Sequence, residues 1–133
     1  MKVLAVQGSP KKKGNTALLL EHYLRGVEEN HRNVEINRVF LQEKNIAPCT
    51  GCYTCIEKNS SCIIEDDMQE LYDKIIEADL LVFATPVYWW SISAQLKTFV
   101  DRFCPLSVED FKGKKFVLLM TYGMARPNTG PEM

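Results

Sequence analysis

Four of the chain's five cysteines fall in one short segment, PCTGCYTCIEKNSSC, spaced Cys49-x2-Cys52-x2-Cys55-x6-Cys62. Thiols so placed hold a metal cluster, staple a loop, or merely sit there. In a reducing compartment, clustered cysteines serve more often as ligands or redox groups than as structural disulfides.

A second group lies in GSPKKKGNT, after an apolar run near the N-terminus. It lacks G-x-G-x-x-G, so it is no dinucleotide fingerprint, and it lacks the Lys of a Walker A loop. What remains is Ser9, Gly14, Asn15 and Thr16 at a helix start, beside Lys11, Lys12 and Lys13. Backbone N–H groups at a positive helix end make an anion site, and these hydroxyls and the amide suit a phosphate monoester. The plainer reading is a capped helix after a solvated lysine turn. A third group is TPVYWWSIS, with Tyr88, Trp89 and Trp90 in a row. Such rings either close a core, form a subunit contact, or line a binding rim.

These groups need elements to position them. Val3–Val6 is a continuous apolar run stopped by Gly8-Ser9-Pro10, as a strand buried on both faces reads. From about Thr16, Leu19, Tyr23 and Val27 recur at helical spacing, with Leu20 and Leu24 widening the stripe. Val34, Ile36 and Val39-Phe40 suggest a second strand nearer an edge, and residues 41–66 show no sustained period. Asp67 with Glu70 resembles a capping box opening a helix through Leu71, Tyr72, Ile75 and Ile76. Leu80–Ala84 is a third, buried strand that Pro86 stops. Ile92, Leu96, Phe99, Val100 and Phe103 mark a third helix, and Lys115–Met120 a fourth strand ended by Thr121-Tyr122-Gly123. Cys104, before Pro105, is expected as a buried packing cysteine, and His22 and His31 receive no role.

Strand–helix alternation with two-sided apolar strands predicts an α/β doubly wound parallel sheet. The flavodoxin-like order, 2-1-3-4, puts the first and third strands side by side with a crevice at their carboxyl ends. The lysine loop then sits one strand from the aromatic loop. A phosphate site at one end and an aromatic rim at the other fit a mononucleotide with a flat ring, and flavin mononucleotide is such a ligand that also carries chemistry.

GSPKKKGNT, DDM and ATPVYWWSISAQLKTFVDR, in this order, resemble the flavodoxin-like NAD(P)H-dependent FMN reductases, and the cysteine motif resembles that of their iron–sulfur flavoprotein branch. The resemblance covers essentially residues 1–123. It implies that Ser9, Lys11, Gly14, Asn15 and Thr16 hold the FMN phosphate. It further implies that Pro86, Val87, Tyr88 and Trp89 lie against the ring, with Thr121, Tyr122 and Gly123 nearing its other edge. Cys49, Cys52, Cys55 and Cys62 are then the ligands of a [4Fe–4S] cluster. Short spacers let successive thiolates reach different corners of one cubane. Structural zinc sites generally use two separated Cys-x2-Cys knuckles, so the spacing favours a cluster over zinc; a site with neither is the third reading.

Apolar content of 46% and charged content of 25% are those of a folded soluble domain. The net charge of −1 gives no footprint for nucleic acid or membrane, and no stretch is apolar enough to span a bilayer. A cytoplasmic location is expected. One domain over residues 1–133 is expected, with 41–66 a cysteine-rich insertion. Members of the resembled family continue with a further helix and fifth strand, so a C-terminally truncated chain is expected. The resemblance implies an FMN oxidoreductase, a dimer or tetramer, with NAD(P)H or a ferredoxin-like donor and a quinone, flavin or redox-protein acceptor. Two other readings are a non-enzymatic electron carrier fed by ferredoxin and a zinc-binding interaction or sensor module.

Overall fold

A computed structural model describes residues 1–123. Its elements are β1 (Lys2–Gln7), α1 (Asn15–Asn30), β2 (Glu35–Phe40), α2 (Thr54–Glu57), α3 (Met68–Glu77), β3 (Leu80–Tyr88), β4 (Ser91–Ile92), α4 (Ala94–Asp101) and β5 (Lys115–Thr121). Four strands run parallel in the order β2-β1-β3-β5, and the two-residue β4 folds back antiparallel on the end of β3. The expected 2-1-3-4 arrangement of the main strands is the one found.

Strand alternation explains why both central strands are apolar throughout. Leu4, Val6, Leu81 and Phe83 pack with α3 and α4 residues such as Leu71, Ile75, Leu96 and Phe99. Val3, Ala5, Leu80, Val82 and Ala84 pack with Leu20, Leu24 and Val27 of α1. Each buried Leu or Val contributes roughly 1.5–3 kcal/mol of burial free energy, so neither face of β1 or β3 tolerates a polar residue cheaply. Phe83 links the rings of Phe99, Phe103 and Phe116 in edge-on contacts at 4.9–6.2 Å.

Several boundaries differ from those expected. Pro86 does not stop β3, which continues to Tyr88. The β1 ladder ends at Gln7↔Ala84, so Pro86 lies where β3 has lost one neighbour, and its missing N–H is tolerated there. Ile92 belongs to β4, and α4 begins after it, with Ser93 as N-cap. Asp67 and Glu70 form no capping box: Glu70 pairs with Lys44, Asp67 accepts from the Asn45 N–H at 2.7 Å, and Asp66 accepts from the Met68 N–H at 3.0 Å. The segment 41–66 is not structureless, since it holds a 3-10 turn at Leu41–Glu43 as well as α2.

Candidate functional site

The loops after β1 and β3 leave adjacent parallel strands at their carboxyl ends, where open α/β sheets bind ligands. A buried set of hydrogen bonds ties them together. The Gly8 N–H donates to the Ala84 carbonyl at 2.7 Å, and Ser93 Oγ donates to the Gly8 carbonyl at 2.6 Å. The Ser93 N–H in turn donates to Thr85 Oγ1 at 3.0 Å, and Ser93 Oγ accepts from the Leu96 N–H at 3.3 Å, capping α4. Thr85 and Ser93 are wholly buried. Glycine is required at position 8 for room: a Cβ there would lie 2.8 Å from the Leu96 Cβ and 3.0 Å from Ser93 Oγ. Sequence reasoning singled out none of Gly8, Thr85 or Ser93 as site residues. The one local signal is the serine just before Ala94, where α4 begins, a residue type that caps helices.

The lysine loop is shaped from within. Ser9, 4% exposed, accepts from the Lys11 N–H at 3.2 Å, and Gln7 Nε2 donates to the Lys11 carbonyl at 3.0 Å. Lys11 and Asn15 are exposed and Gly14 half-buried. Lys12 pairs with Glu43 at 2.6 Å. Gly14 is the N-cap of α1 and offers no side chain to it, and no acidic residue lies in the first turn. The first N–H groups of a 16-residue helix therefore face the loop without a capping oxygen. Thr16 is buried, and its hydroxyl meets that of Thr121 at 2.7 Å, joining this loop to the end of β5. Tyr122 and Gly123 follow, both exposed.

The aromatic loop is a two-residue hairpin turn. Val87 faces Ile92 and Tyr88 faces Ser91, with Trp89 and Trp90 at the tip. Both tryptophans have left-handed backbone, φ 47° and 66°, a conformation that bulky residues avoid. Trp89 is 94% exposed and Trp90 64%, while Pro86 is buried and Val87 half-buried. The rings form neither a core nor a plug. A cavity of about 670 Å³ opens at Lys12, Lys13, Gly14 and Asn15 and runs toward Arg38 and Phe40; Pro86–Trp90 do not line it. Among the described residues the two ends of the crevice are tied by the Gly8, Ser93 and Thr85 hydrogen bonds and do not share this cavity.

A smaller cavity, about 180 Å³, is lined by Cys49, Cys52, Cys55 and Cys62. Cys104 lines it too, and is exposed, which corrects its expected role as a buried packing residue. The turn after α4 carries Cys104 back onto the cysteine loop, a contact that its sequence position could not reveal. All five are free thiols. Left-handed backbone at Gly51 and Tyr53, φ 66° and 57°, folds the loop between successive cysteines. Hydrogen bonds from the Thr54 N–H and hydroxyl lower the Cys52 pKa, whereas burial and the neighbouring Cys104 raise that of Cys55. Among the described residues no group of three or more His, Cys, Asp or Glu stands in metal-holding geometry, so the thiols share a cavity without converging on one point.

Beneath this cavity lies a buried ion pair. Arg102 meets Asp66 at 2.6 Å, with side chains 0% and 4% exposed. Burial works against the Asp66 charge, yet hydrogen bonds from Arg102, Ala47 and Met68 hold its carboxyl below the ordinary range. Tyr72 donates to the Arg102 carbonyl at 2.9 Å, and burial, with Cys62 nearby, pushes its pKa up to about 12. Sequence reading placed no function on this pair.

Sheet order and crevice position define a flavodoxin-like α/β fold. An azoreductase from Bacillus anthracis superposes with a TM-score of 0.72 at 20% identity, over 92% of this chain and 69% of that one. The chain belongs to the NADPH-dependent FMN reductase family, whose model matches residues 1–130. It is 37% identical over 129 residues to an iron–sulfur flavoprotein of Archaeoglobus fulgidus, covering 96% of this chain and 57% of that protein. It is 36% identical over 117 residues to an iron–sulfur flavoprotein of Methanosarcina thermophila, covering 88% and 60% respectively. The chain therefore spans little more than half the length of these relatives.

Proposed function

We propose that the chain is the flavin-binding part of an NAD(P)H-dependent FMN oxidoreductase that also carries a [4Fe–4S] cluster. The observation that carries the flavin assignment is the pairing, at the carboxyl ends of β1 and β3, of an uncapped helix N-terminus with a solvent-facing tryptophan hairpin. An uncapped helix end fits a phosphate, and exposed indoles held in a costly backbone conformation fit a flat ring. Ser9, Lys11, Gly14, Asn15 and Thr16 would bind the phosphate, Pro86, Val87, Tyr88 and Trp89 the ring, and Thr121, Tyr122 and Gly123 its far edge. When bound, FMN supplies hydride and single-electron transfer, and a cluster supplies single-electron transfer.

The residues of the chain have three tasks. The Gly8–Ser93–Thr85 hydrogen bonds fix the distance between the phosphate loop and the hairpin. Thr121 holds the third loop against Thr16. Cys49, Cys52, Cys55 and Cys62 supply four soft donors in one cavity, a set that suits iron–sulfur chemistry. NAD(P)H is the donor in this reading, and a quinone, flavin or redox protein the acceptor. Cys49 and Cys52 are exposed, which favours a ferredoxin-like protein as a second donor, delivering electrons at the cysteine face. A cytoplasmic location belongs to the same reading; no described helix is long and apolar enough to cross a membrane. Assembly as a dimer or tetramer belongs to the same reading.

The test is an anaerobic spectrum of the purified full-length protein with FMN added. Flavin bands that NAD(P)H bleaches, over a broad iron–sulfur shoulder with about four irons per chain, would support both parts. A flavin spectrum that NAD(P)H leaves unchanged but reduced ferredoxin bleaches would favour the electron carrier. No flavin binding would defeat the reading.

A further inference from the structure

The Arg102–Asp66 pair does more than fill space under the cysteines. Arg102 Nη1 donates to Asp66 Oδ2 at 2.6 Å and to the Ala47 carbonyl at 2.8 Å. Nη2 donates to Asp66 Oδ1 at 3.2 Å and to the Ile64 carbonyl at 3.3 Å. Asp66 accepts from the Ala47 N–H at 2.9 Å. The pair thus fastens the chain just before Cys49 to the chain just after Cys62. Gln69 strengthens the second anchor, donating to the carbonyls of Cys62 and Ile64 at 3.0 and 2.8 Å.

One donor is left over. Arg102 Nε is buried and has no hydrogen-bond partner, and it stands alone in this among the side chains of the described residues. An unsatisfied buried donor costs about 1–3 kcal/mol, and more when it belongs to a charged group. A buried ion pair is also a poor way to gain stability, since apolar residues of similar volume often serve as well. Arg102 lines the thiol cavity, and burial works against its charge while Asp66 holds it. The fork is fully engaged in closing the loop, and the remaining N–H belongs to a residue facing thiols.

We infer that Arg102 is a positioning residue of the cysteine cavity: its Asp66-anchored guanidinium closes both ends of the cysteine loop and reserves its Nε–H for a sulfur of the thiolate-bound group. The inference rests on the proposed cluster. A hydrogen bond and a positive charge at the sulfur stabilise the added electron, so they raise the reduction potential.

The test uses full-length protein labelled with 15N at arginine Nε, loaded with iron and sulfide and reduced. Pulsed EPR is expected to show an arginine nitrogen coupled to the cluster spin. Arg102→Lys keeps a charge beside Asp66 but loses the Nε donor; it is expected to lose the coupling and lower the cluster's midpoint potential, with FMN binding retained as the control for folding. A loaded wild-type protein without arginine coupling, or a loaded Arg102→Lys variant with an unchanged midpoint, would overturn the inference alone. Wild-type protein that takes up no iron would overturn the cluster assignment and the inference together. Should Arg102→Lys fail to fold, the wild-type coupling decides.

Discussion

Replacing Trp89 with asparagine should stabilise the protein while weakening its hold on flavin. Trp89 has φ 47°. Left-handed backbone costs a non-glycine residue roughly 1–2 kcal/mol, and asparagine adopts it far more readily than a bulky ring. With 94% of its surface exposed, Trp89 has almost no burial to lose. Trp89→Asn should therefore gain about 1 kcal/mol, raising Tm by roughly 3–5 °C for a domain of this size. Trp90→Gly is the internal comparison. Trp90 has the same strain, φ 66°, but keeps part of its surface covered at a groove shared with Ile92 and Phe116. Losing roughly 80 Å² of covered ring offsets the relief by about 2 kcal/mol, leaving that variant near neutral. Loss of one aromatic contact of about 1 kcal/mol would weaken FMN binding by Trp89→Asn roughly fivefold. Thermal melts of the apo-proteins and fluorescence titrations with FMN read the two effects. A lower Tm, or unchanged affinity, would refute the claim that strain holds this ring out for a ligand.

Other perturbations follow from the same geometry. Gly8→Ala drives a methyl group into Leu96 and Ser93, and should cost about 1–3 kcal/mol in urea unfolding and weaken FMN binding as the loops separate. Ser93→Ala removes the α4 cap and the donor to the buried Gly8 carbonyl, for a loss on the order of 1–3 kcal/mol by the same assay. Asp66→Asn leaves a buried guanidinium without its counter-charge and should cost about 3–5 kcal/mol at neutral pH. Because the folded Asp66 pKa is lowered, its contribution is present above about pH 4, the unfolded value, and fades as pH falls through the folded one. The gap in urea stability between wild type and Asp66→Asn should accordingly narrow in acid; a gap independent of pH would contradict the charge assignment.

Features written in neighbouring residues were legible in the sequence. Val3–Val6 and Leu80–Ala84 announced two-sided strands, since burial on both faces demands an unbroken apolar run. The four cysteines of residues 49–62 were grouped by spacing alone, and all four line one cavity. What escaped was made by distant partners. Ser93 bonds to Gly8 across 85 positions, and Arg102 reaches Asp66 across 36 and Ala47 across 55. No periodicity encodes such pairs. Cys104 was misjudged for the same reason, because its neighbours in the fold are Cys55 and Cys62 and not the apolar helix that precedes it. The β3–β4 hairpin was hidden by its own sequence, since Trp-Trp is a pair that no turn rule selects for left-handed backbone.

The central claim is that the uncapped start of α1 receives the phosphate of a flavin whose ring meets the tryptophan hairpin. Parallel titrations of the full-length protein with FMN and with riboflavin, identical but for the phosphate, test it most directly. FMN should bind at least tenfold more tightly, with an advantage that shrinks in high salt as the charged contacts are screened. Equal affinity for the two, at any salt concentration, would contradict it.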